Sequence, residues 1–147
     1  MKKYVFTDID GVLASYTFLF SGKGYIDPEK IKLLNRLKEL DVELVISSSW
    51  GYDDGNTEKS LKTCGLDLPI VGYTDRFYKD WLCRGNEIKK WLIENCKAKA
   101  IDYNYVILDD AEDFLLSQKD YLVEVNGNKG LTEKDIEKAI DILSKNY

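Results

Sequence analysis

The sequence predicts an α/β fold, a doubly wound parallel sheet of about five strands with helices on both faces. Segments with the short apolar pattern of strands alternate along the chain with segments of helical periodicity, which is typical of a parallel sheet. The strand candidates at residues 42–46 and 105–108 are nearly continuous apolar runs. Such runs indicate strands that are covered on both faces. We therefore expect a three-layer, Rossmann-like architecture.

The first part of the chain is expected to contain a strand, a hairpin and a helix. The strand covers residues 3–7. Residues 14–26 follow, and their weak alternation of aromatic residues with glycines indicates a hairpin. Asp27 and Pro28 then predict a helix start, because Asp is favoured at the N-cap and Pro at the first helical position. The buried stripe of this helix is expected to consist of Ile31, Leu34 and Leu37.

The rest of the chain continues the alternation of strands and helices. The strand at residues 42–46 leads to a polar loop at 51–56 and a short helix that Gly65 closes. A third strand is expected at residues 68–73, and Pro69 predicts that it lies at an edge of the sheet. The remaining expected elements are a helix over 85–95, strands over 105–108 and 121–125, and a helix that begins at a capping box in residues 132–135.

Composition limits the classes of function. At 147 residues the chain is expected to form one domain, residues 1–147, with a core that needs no disulfides. The net charge of −5 argues against non-specific nucleic-acid binding, which needs a basic surface. The absence of histidine excludes Ser-His and Cys-His catalysis, and the three cysteines lack the spacing of a zinc site. With neither a signal-peptide pattern nor a membrane-length apolar run, we expect a cytoplasmic protein without a membrane partner.

Acidic and hydroxyl side chains follow three of the expected strands, at the point where each strand ends. Asp8 and Asp10 follow the first strand, Ser48 follows the second, and Asp109 and Asp110 follow the fourth. Because open α/β sheets bind ligands at the carboxyl ends of their strands, we expect these residues to share one site. Carboxylates so close together repel each other unless a cation or a shared proton lies between them. The pattern therefore predicts a site that holds either a cation or a shared proton.

The acid, spacer, acid, glycine order of residues 8–11 also occurs in calcium-binding loops. Such loops supply further oxygen ligands from the residues that follow, whereas Val12, Leu13 and Ala14 follow here. An enzymatic site is therefore favoured over a structural ion site.

These segments resemble the motifs of the haloacid dehalogenase superfamily, which consists mostly of magnesium-dependent phosphatases. Residues 8–13 are similar to its motif I, Asp-x-Asp-Gly-x-Leu, and residues 106–110 are similar to its acidic motif IV. Motif II is a Ser or Thr at a strand end. The choice among residues 47–49 stays open, and we favour Ser48. Motif III is a Lys or Arg at the start of the preceding helix, for which Arg84 is the main candidate; the alternative is Lys79.

Five segments together resemble the phosphatase-type domain of the Swiss Army Knife RNA repair proteins. They are Asp-Gly-Val-Leu at 10–13, Ser-Ser-Ser-Trp at 47–50, Arg-Gly-x-Glu-Ile-x-x-Trp-Leu at 84–92, Ile-Leu-Asp-Asp at 107–110 and Gly-Leu-Thr at 130–132. This resemblance implies a phosphorylated substrate, with RNA or DNA ends as one candidate class.

The superfamily resemblance also implies roles for individual residues. Asp8 would be the nucleophile that forms an aspartyl-phosphate, and Asp10 the general acid and later the base. The implied cofactor is Mg²⁺, held by the Asp8 carboxylate, the Asp10 backbone carbonyl and Asp109. The other implied site residues are Ser48, Ser49 and Arg84 at the phosphoryl oxygens, and Asp110 and Asp113 at the water ligands of the metal.

Two other functions remain open alternatives, a small-molecule phosphatase and a non-catalytic phospho-receiver or binding module. Receivers combine similar acids with a Lys at the end of the fifth strand. Here residues 124–126 end that strand without a Lys, and the next one is Lys129. The sequence therefore favours the phosphatase.

Superfamily members differ in cap domains, which are inserted after the first strand or before motif III. Residues 14–26 are too short for a helical cap, and residues 51–83 already contain a helix and a strand. We therefore expect a capless site covered only by a hairpin at residues 16–25. An open site suits large substrates such as a nucleic-acid end, and the oligomeric state is left open.

Overall fold

The computed structural model describes residues 1–76 and 83–145 of the chain. The strands in these ranges are β1 (Lys2–Thr7), β2 (Glu43–Ile46), β3 (Ile70–Tyr73), β4 (Tyr103–Asp109) and β5 (Leu122–Glu124). The α-helices are α1 (Tyr16–Phe20), α2 (Pro28–Leu34), α3 (Asn56–Thr63), α4 (Arg84–Asn95) and α5 (Glu133–Leu143). Short 3-10 helices cover Asn35–Leu40, Asp53–Gly55, Lys97–Lys99 and Leu116–Tyr121.

The strands form one parallel sheet in the order β3-β2-β1-β4-β5. Thr7, the last residue of β1, lies beside Ile46 of β2 and Leu108 of β4. From β1 the chain adds β2 and β3 on one side of the sheet and then β4 and β5 on the other side. Doubly wound sheets bind their ligands at the point where the order of strands changes direction in this way. The segments that follow β1, β2 and β4 therefore meet at the centre of one sheet edge.

Alternating side chains of β1 serve two separate core layers. Tyr4 and Phe6 pack on one face of the sheet, in contact with the Trp91 ring of α4. Val5 belongs to the core on the opposite face. That second layer is completed by helical residues, namely Ile31 and Leu34 of α2, Leu61 of α3, and Ile136 and Ala139 of α5. Helices thus cover both faces, and the fold is the three-layer, Rossmann-like α/β architecture that the sequence predicted.

Most local predictions agree with the structure. Asp27 caps α2 by accepting a hydrogen bond from the Glu29 N–H at 3.0 Å. Thr132 and Asp135 form the capping box that starts α5. β3 lies at an edge of the sheet, as the proline at position 69 predicted.

The prediction of a hairpin at residues 16–25 is wrong, because this segment begins with the short helix α1. Ser15 is its N-cap, and the Ser15 hydroxyl accepts a hydrogen bond from the Phe18 N–H at 3.0 Å. The helix is held on the loop after β5, since the Tyr16 N–H donates to the Gly127 carbonyl at 2.8 Å. Local capping and this contact outweigh the weak alternation of aromatic residues.

No separate cap domain covers the sheet edge within residues 1–76 and 83–145, where α1 is the only helix between β1 and α2. Over the same two ranges, none of the helices combines the length and the apolar character that crossing a lipid bilayer requires.

Candidate active site

A tight loop after β1 fixes the first two acids. The Asp8 N–H donates to the Leu108 carbonyl of β4 at 3.0 Å, so Asp8 continues the β1 ladder. The Ile9 carbonyl then accepts hydrogen bonds from the N–H groups of residues 12–14, at 3.1, 2.8 and 3.2 Å. Ile9 itself is fully buried. The loop that carries Asp10 is therefore anchored to the core.

Gly11 allows this loop to approach the end of β4. Its φ of +86° lies in the left-handed region that favours glycine. A Cβ at this position would lie 2.4 Å from Oδ2 of Asp110. Both the backbone conformation and the close contact therefore require glycine.

Three carboxylates gather at the centre of the sheet edge. One oxygen from each of Asp8, Asp109 and Asp110 lies within 4.8 Å of the others. The Asp8 and Asp109 side chains are only 10% and 1% exposed, and Asp110 is half-buried. A set made of carboxylate oxygens alone fits a hard cation such as Mg²⁺. These three residues could therefore hold the metal that the sequence implies.

Arg84, the first residue of α4, places its positive charge between two of these acids. Its Nη1 donates to Oδ2 of Asp8 at 2.9 Å and to Oδ2 of Asp109 at 2.7 Å. Burial lowers the pKa of Arg84, but Asp109 and Asp8 together raise it above its ordinary value. The guanidinium is therefore charged at every physiological pH, and it offsets the repulsion between the two carboxylates.

The two bridged carboxyls have perturbed pKa values. Burial raises the pKa of Asp8, while Arg84 and the Ile9 N–H, which donates to Oδ1 of Asp8 at 2.8 Å, act in the opposite direction. Burial and the Asp8 charge raise the pKa of Asp109 to about 7, against the effect of Arg84. One arginine is thus not enough to keep both acids ionised as readily as they would be in water. A further cation beside these carboxyls would favour their ionised forms.

The start of α4 is fixed by the segment that follows β4. Oδ2 of Asp113 accepts a hydrogen bond from the Arg84 N–H at 3.1 Å, and its carbonyl accepts one from the Gly85 N–H. Buried Gln118 donates to the Gly85 carbonyl at 2.9 Å. Asp113, expected to orient the water ligands of a metal, therefore lies at the N-terminus of this helix. Lys79, the alternative to Arg84, lies outside the described residues.

The three serines after β2 differ in environment. Ser48 is buried, and its hydroxyl accepts a hydrogen bond from the Trp50 N–H at 3.2 Å. Ser49 is exposed. Ser47 is buried, and its Oγ has no hydrogen-bond partner among the described residues. Its N–H donates to the Thr7 carbonyl at 2.9 Å, which places it next to the end of β1. The assignment of phosphate binding to Ser48 and Ser49 stays a prediction.

Two aromatic residues contact the site acids, and neither contact was predicted from the sequence. Tyr16 donates its hydroxyl to Oδ2 of Asp110 at 2.6 Å. Trp50 donates its Nε1–H to Oδ1 of Asp10 at 3.2 Å. Two features of the sequence point to these residues. Trp50 directly follows the three serines, and Tyr16 follows Ser15, a residue type that is favoured at a helix N-cap. The hydrogen bond to Asp110 raises the pKa of Tyr16 to about 12, so this hydroxyl keeps its proton at neutral pH.

Comparison with known protein families gives a match. The sequence profile of the family described as the HAD domain in Swiss Army Knife RNA repair proteins matches residues 4–136. This range includes all the acids described above. No curated protein matches the chain.

Proposed function

The chain belongs to the family of HAD domains found in Swiss Army Knife RNA repair proteins, and from this membership we propose that it is a magnesium-dependent phosphomonoesterase that acts through an aspartyl-phosphate. Phosphohydrolase activity follows from the superfamily, and the metal and the mechanism are our proposal. The observation that carries it is the group of Asp8, Asp109 and Asp110, whose carboxylate oxygens lie within 4.8 Å of one another beside the Arg84 guanidinium.

In the first step Asp8 attacks the phosphorus atom, and the bond to the leaving oxygen breaks. Asp10 gives its proton to that oxygen. In the second step Asp10 takes a proton from water while the water oxygen attacks the aspartyl-phosphate, so Asp8 is regenerated and phosphate leaves. Two acids in different surroundings can hold these opposite roles. Here Asp8 is buried and bonded to Arg84, whereas Asp10 is half-buried and bonded to Trp50.

Magnesium, when bound, would offset negative charge on the phosphoryl oxygens during transfer. Its protein ligands would be the carboxylates of Asp8, Asp109 and Asp110 and the backbone carbonyl of Asp10. Arg84 carries N–H donors besides those on Nη1, and these would bind phosphoryl oxygens. Ser48 would supply another hydrogen bond.

We propose phosphorylated nucleic-acid ends as the substrate class. Two observations support it: the family is described by its occurrence in RNA repair proteins, and the described residues form no cap over the site. The net charge of −5 disfavours binding along a nucleic-acid backbone. Recognition would therefore be local, through the terminal phosphate and its nearest nucleotides.

The test measures phosphate release from an aryl phosphate, from an alkyl phosphate and from oligonucleotides with a terminal phosphate. Mg²⁺-dependent release that is lost in chelator and in Asp8→Asn supports the phosphatase, and a preference for the oligonucleotides supports the substrate class. A phospho-receiver would instead take up one phosphoryl group from a small phosphodonor without turnover. That result, or activity that survives chelation, would refute the proposal.

A further inference from the structure

Trp50 connects two parts of the candidate site. Its backbone N–H donates to the Ser48 hydroxyl at 3.2 Å, and its indole Nε1–H donates to Oδ1 of Asp10 at 3.2 Å. The turn is closed by a hydrogen bond from the Gly51 N–H to the Ser48 carbonyl at 3.1 Å. The indole is therefore a direct contact between the segment after β2 and the second acid of the β1 loop.

The position of the Trp50 indole is fixed by packing against the core. Trp50 is half-buried, and its ring packs against the core that lies between the sheet and α2, α3 and α5. The tight turn and the core contact restrict the ring on two sides. A hydrogen bond from such a ring restrains the carboxylate that accepts it, which a mobile surface side chain would not do.

We infer that Trp50 is a positioning residue for Asp10, an inference that rests on the proposed function. With Oδ1 occupied by the indole N–H, Oδ2 of Asp10 is the oxygen that holds the transferable proton. When this proton passes to the leaving oxygen, Asp10 becomes a carboxylate. The indole therefore orients Asp10 to give its proton to the leaving oxygen in the first step and to take a proton from water in the second.

The contact itself can be tested without any activity. The chain has three tryptophans, so a ¹H–¹⁵N spectrum contains three indole N–H signals, and Trp50→Phe assigns one of them by its loss. Asp10→Asn should shift the Trp50 signal, because the acceptor changes from a carboxylate to an amide. The Trp91 signal, from an indole packed on Tyr4 and Phe6, should stay unchanged and is the control. If none of the three indole signals shifted in Asp10→Asn, the inference would be refuted, even if Trp50→Phe failed to fold.

The role in proton transfer is tested by the dependence on the leaving group. Trp50→Phe keeps an aromatic ring but removes the donor. We expect kcat/KM for an alkyl phosphate to fall about tenfold more than kcat/KM for nitrophenyl phosphate, whose leaving group needs little protonation. Tyr52→Phe is the matched control, because Tyr52 is an exposed neighbour whose ring packs on Tyr73.

An equal fall for both substrates in Trp50→Phe would indicate a merely structural role and would refute the inference. If the wild-type protein released no phosphate from any substrate, the proposed function would fail instead, and the indole signal would still report whether the contact exists.

Discussion

The guanidinium of Arg84 lies against the buried carboxylate of Asp109, with 2.7 Å between Nη1 and Oδ2. The same nitrogen also bonds Asp8, so one cation bridges the ends of β1 and β4. The bridge matters for stability as well as for chemistry, because two buried carboxylates with oxygens within 4.8 Å of each other are unfavourable without a counter-charge.

Arg84→Gln should therefore destabilise the metal-free protein at neutral pH, by about 3 kcal/mol, since removal of one partner leaves buried charge uncompensated. Mg²⁺ should restore more stability to this variant than to the wild type, because it replaces the missing positive charge. Thermal unfolding in chelator and in Mg²⁺ measures both effects. Arg36→Gln, which changes an exposed arginine, is the control and should behave like the wild type. Equal Mg²⁺ effects in all three proteins would contradict the prediction.

The stabilisation by Mg²⁺ should depend on pH. The pKa of Asp109 is raised to about 7 from its ordinary value of 3.8, so the folded protein holds a proton more tightly than the unfolded chain. The stability from this group is fully present below the ordinary value and is lost as the pH rises through about 7. Mg²⁺ binds the ionised carboxylates, so its effect on Tm should be larger at about pH 8 than at about pH 5.

Two variants test the assignment of this effect. Asp109→Asn should remove most of the pH dependence and should weaken the apparent affinity for Mg²⁺. Asp113→Asn should do so far less, because an amide oxygen can still accept the Arg84 N–H at the start of α4. Comparable losses of Mg²⁺ affinity in the two variants would mean that Asp113 contacts the metal more directly than we propose.

The sheet and the acids could be predicted from sequence because local patterns determine them. A nearly continuous apolar run such as residues 42–46 indicates a strand covered on both faces, and an acid directly after such a run lies at the sheet edge. The contacts of Tyr16 and Trp50 could not be predicted in this way. Their acceptors lie 94 and 40 residues away in the chain, and the distances depend on how the loops pack. The contacts of Arg84 likewise depend on where α4 begins.

The two aspartates after β1 should differ when each is changed to asparagine. Asp8→Asn removes the nucleophile, so no phosphoryl-enzyme should form and turnover should fall to background. Asp10→Asn keeps the nucleophile but loses acid–base help worth about 10²–10⁴-fold. With nitrophenyl phosphate the second step should suffer more than the first, and the phosphoryl-enzyme should accumulate. Intact-protein mass measures this adduct, and an alkyl phosphate should give little of it. An active Asp8→Asn beside an inactive Asp10→Asn would reverse the roles.

Gly11→Ala tests the close approach of the β1 loop to Asp110. Gly22 is the matched control, because it also has a positive φ, +76°, but a Cβ there would have no neighbour within 4 Å. Gly22→Ala should cost only the backbone strain of about 1–2 kcal/mol. Gly11→Ala should cost about 2 kcal/mol more, since its Cβ overlaps the Asp110 carboxylate. Chemical denaturation gives both free energies of unfolding, and equal losses would argue against the contact.

Tyr16→Phe should weaken Mg²⁺ binding with little loss of stability. The Tyr16 hydroxyl is protonated at neutral pH, because its pKa is about 12, and it donates to Oδ2 of Asp110 at 2.6 Å. Without this donor the Asp110 carboxylate is free to rotate away from Asp8 and Asp109. Loss of such an outer hydrogen bond typically costs about tenfold or more in metal affinity. Calorimetric titration with Mg²⁺ measures the Kd, and Tyr25→Phe, which changes a tyrosine that is 76% exposed, should leave it unchanged. An unchanged Kd in Tyr16→Phe would show that Asp110 needs no orientation by Tyr16 to serve the metal site.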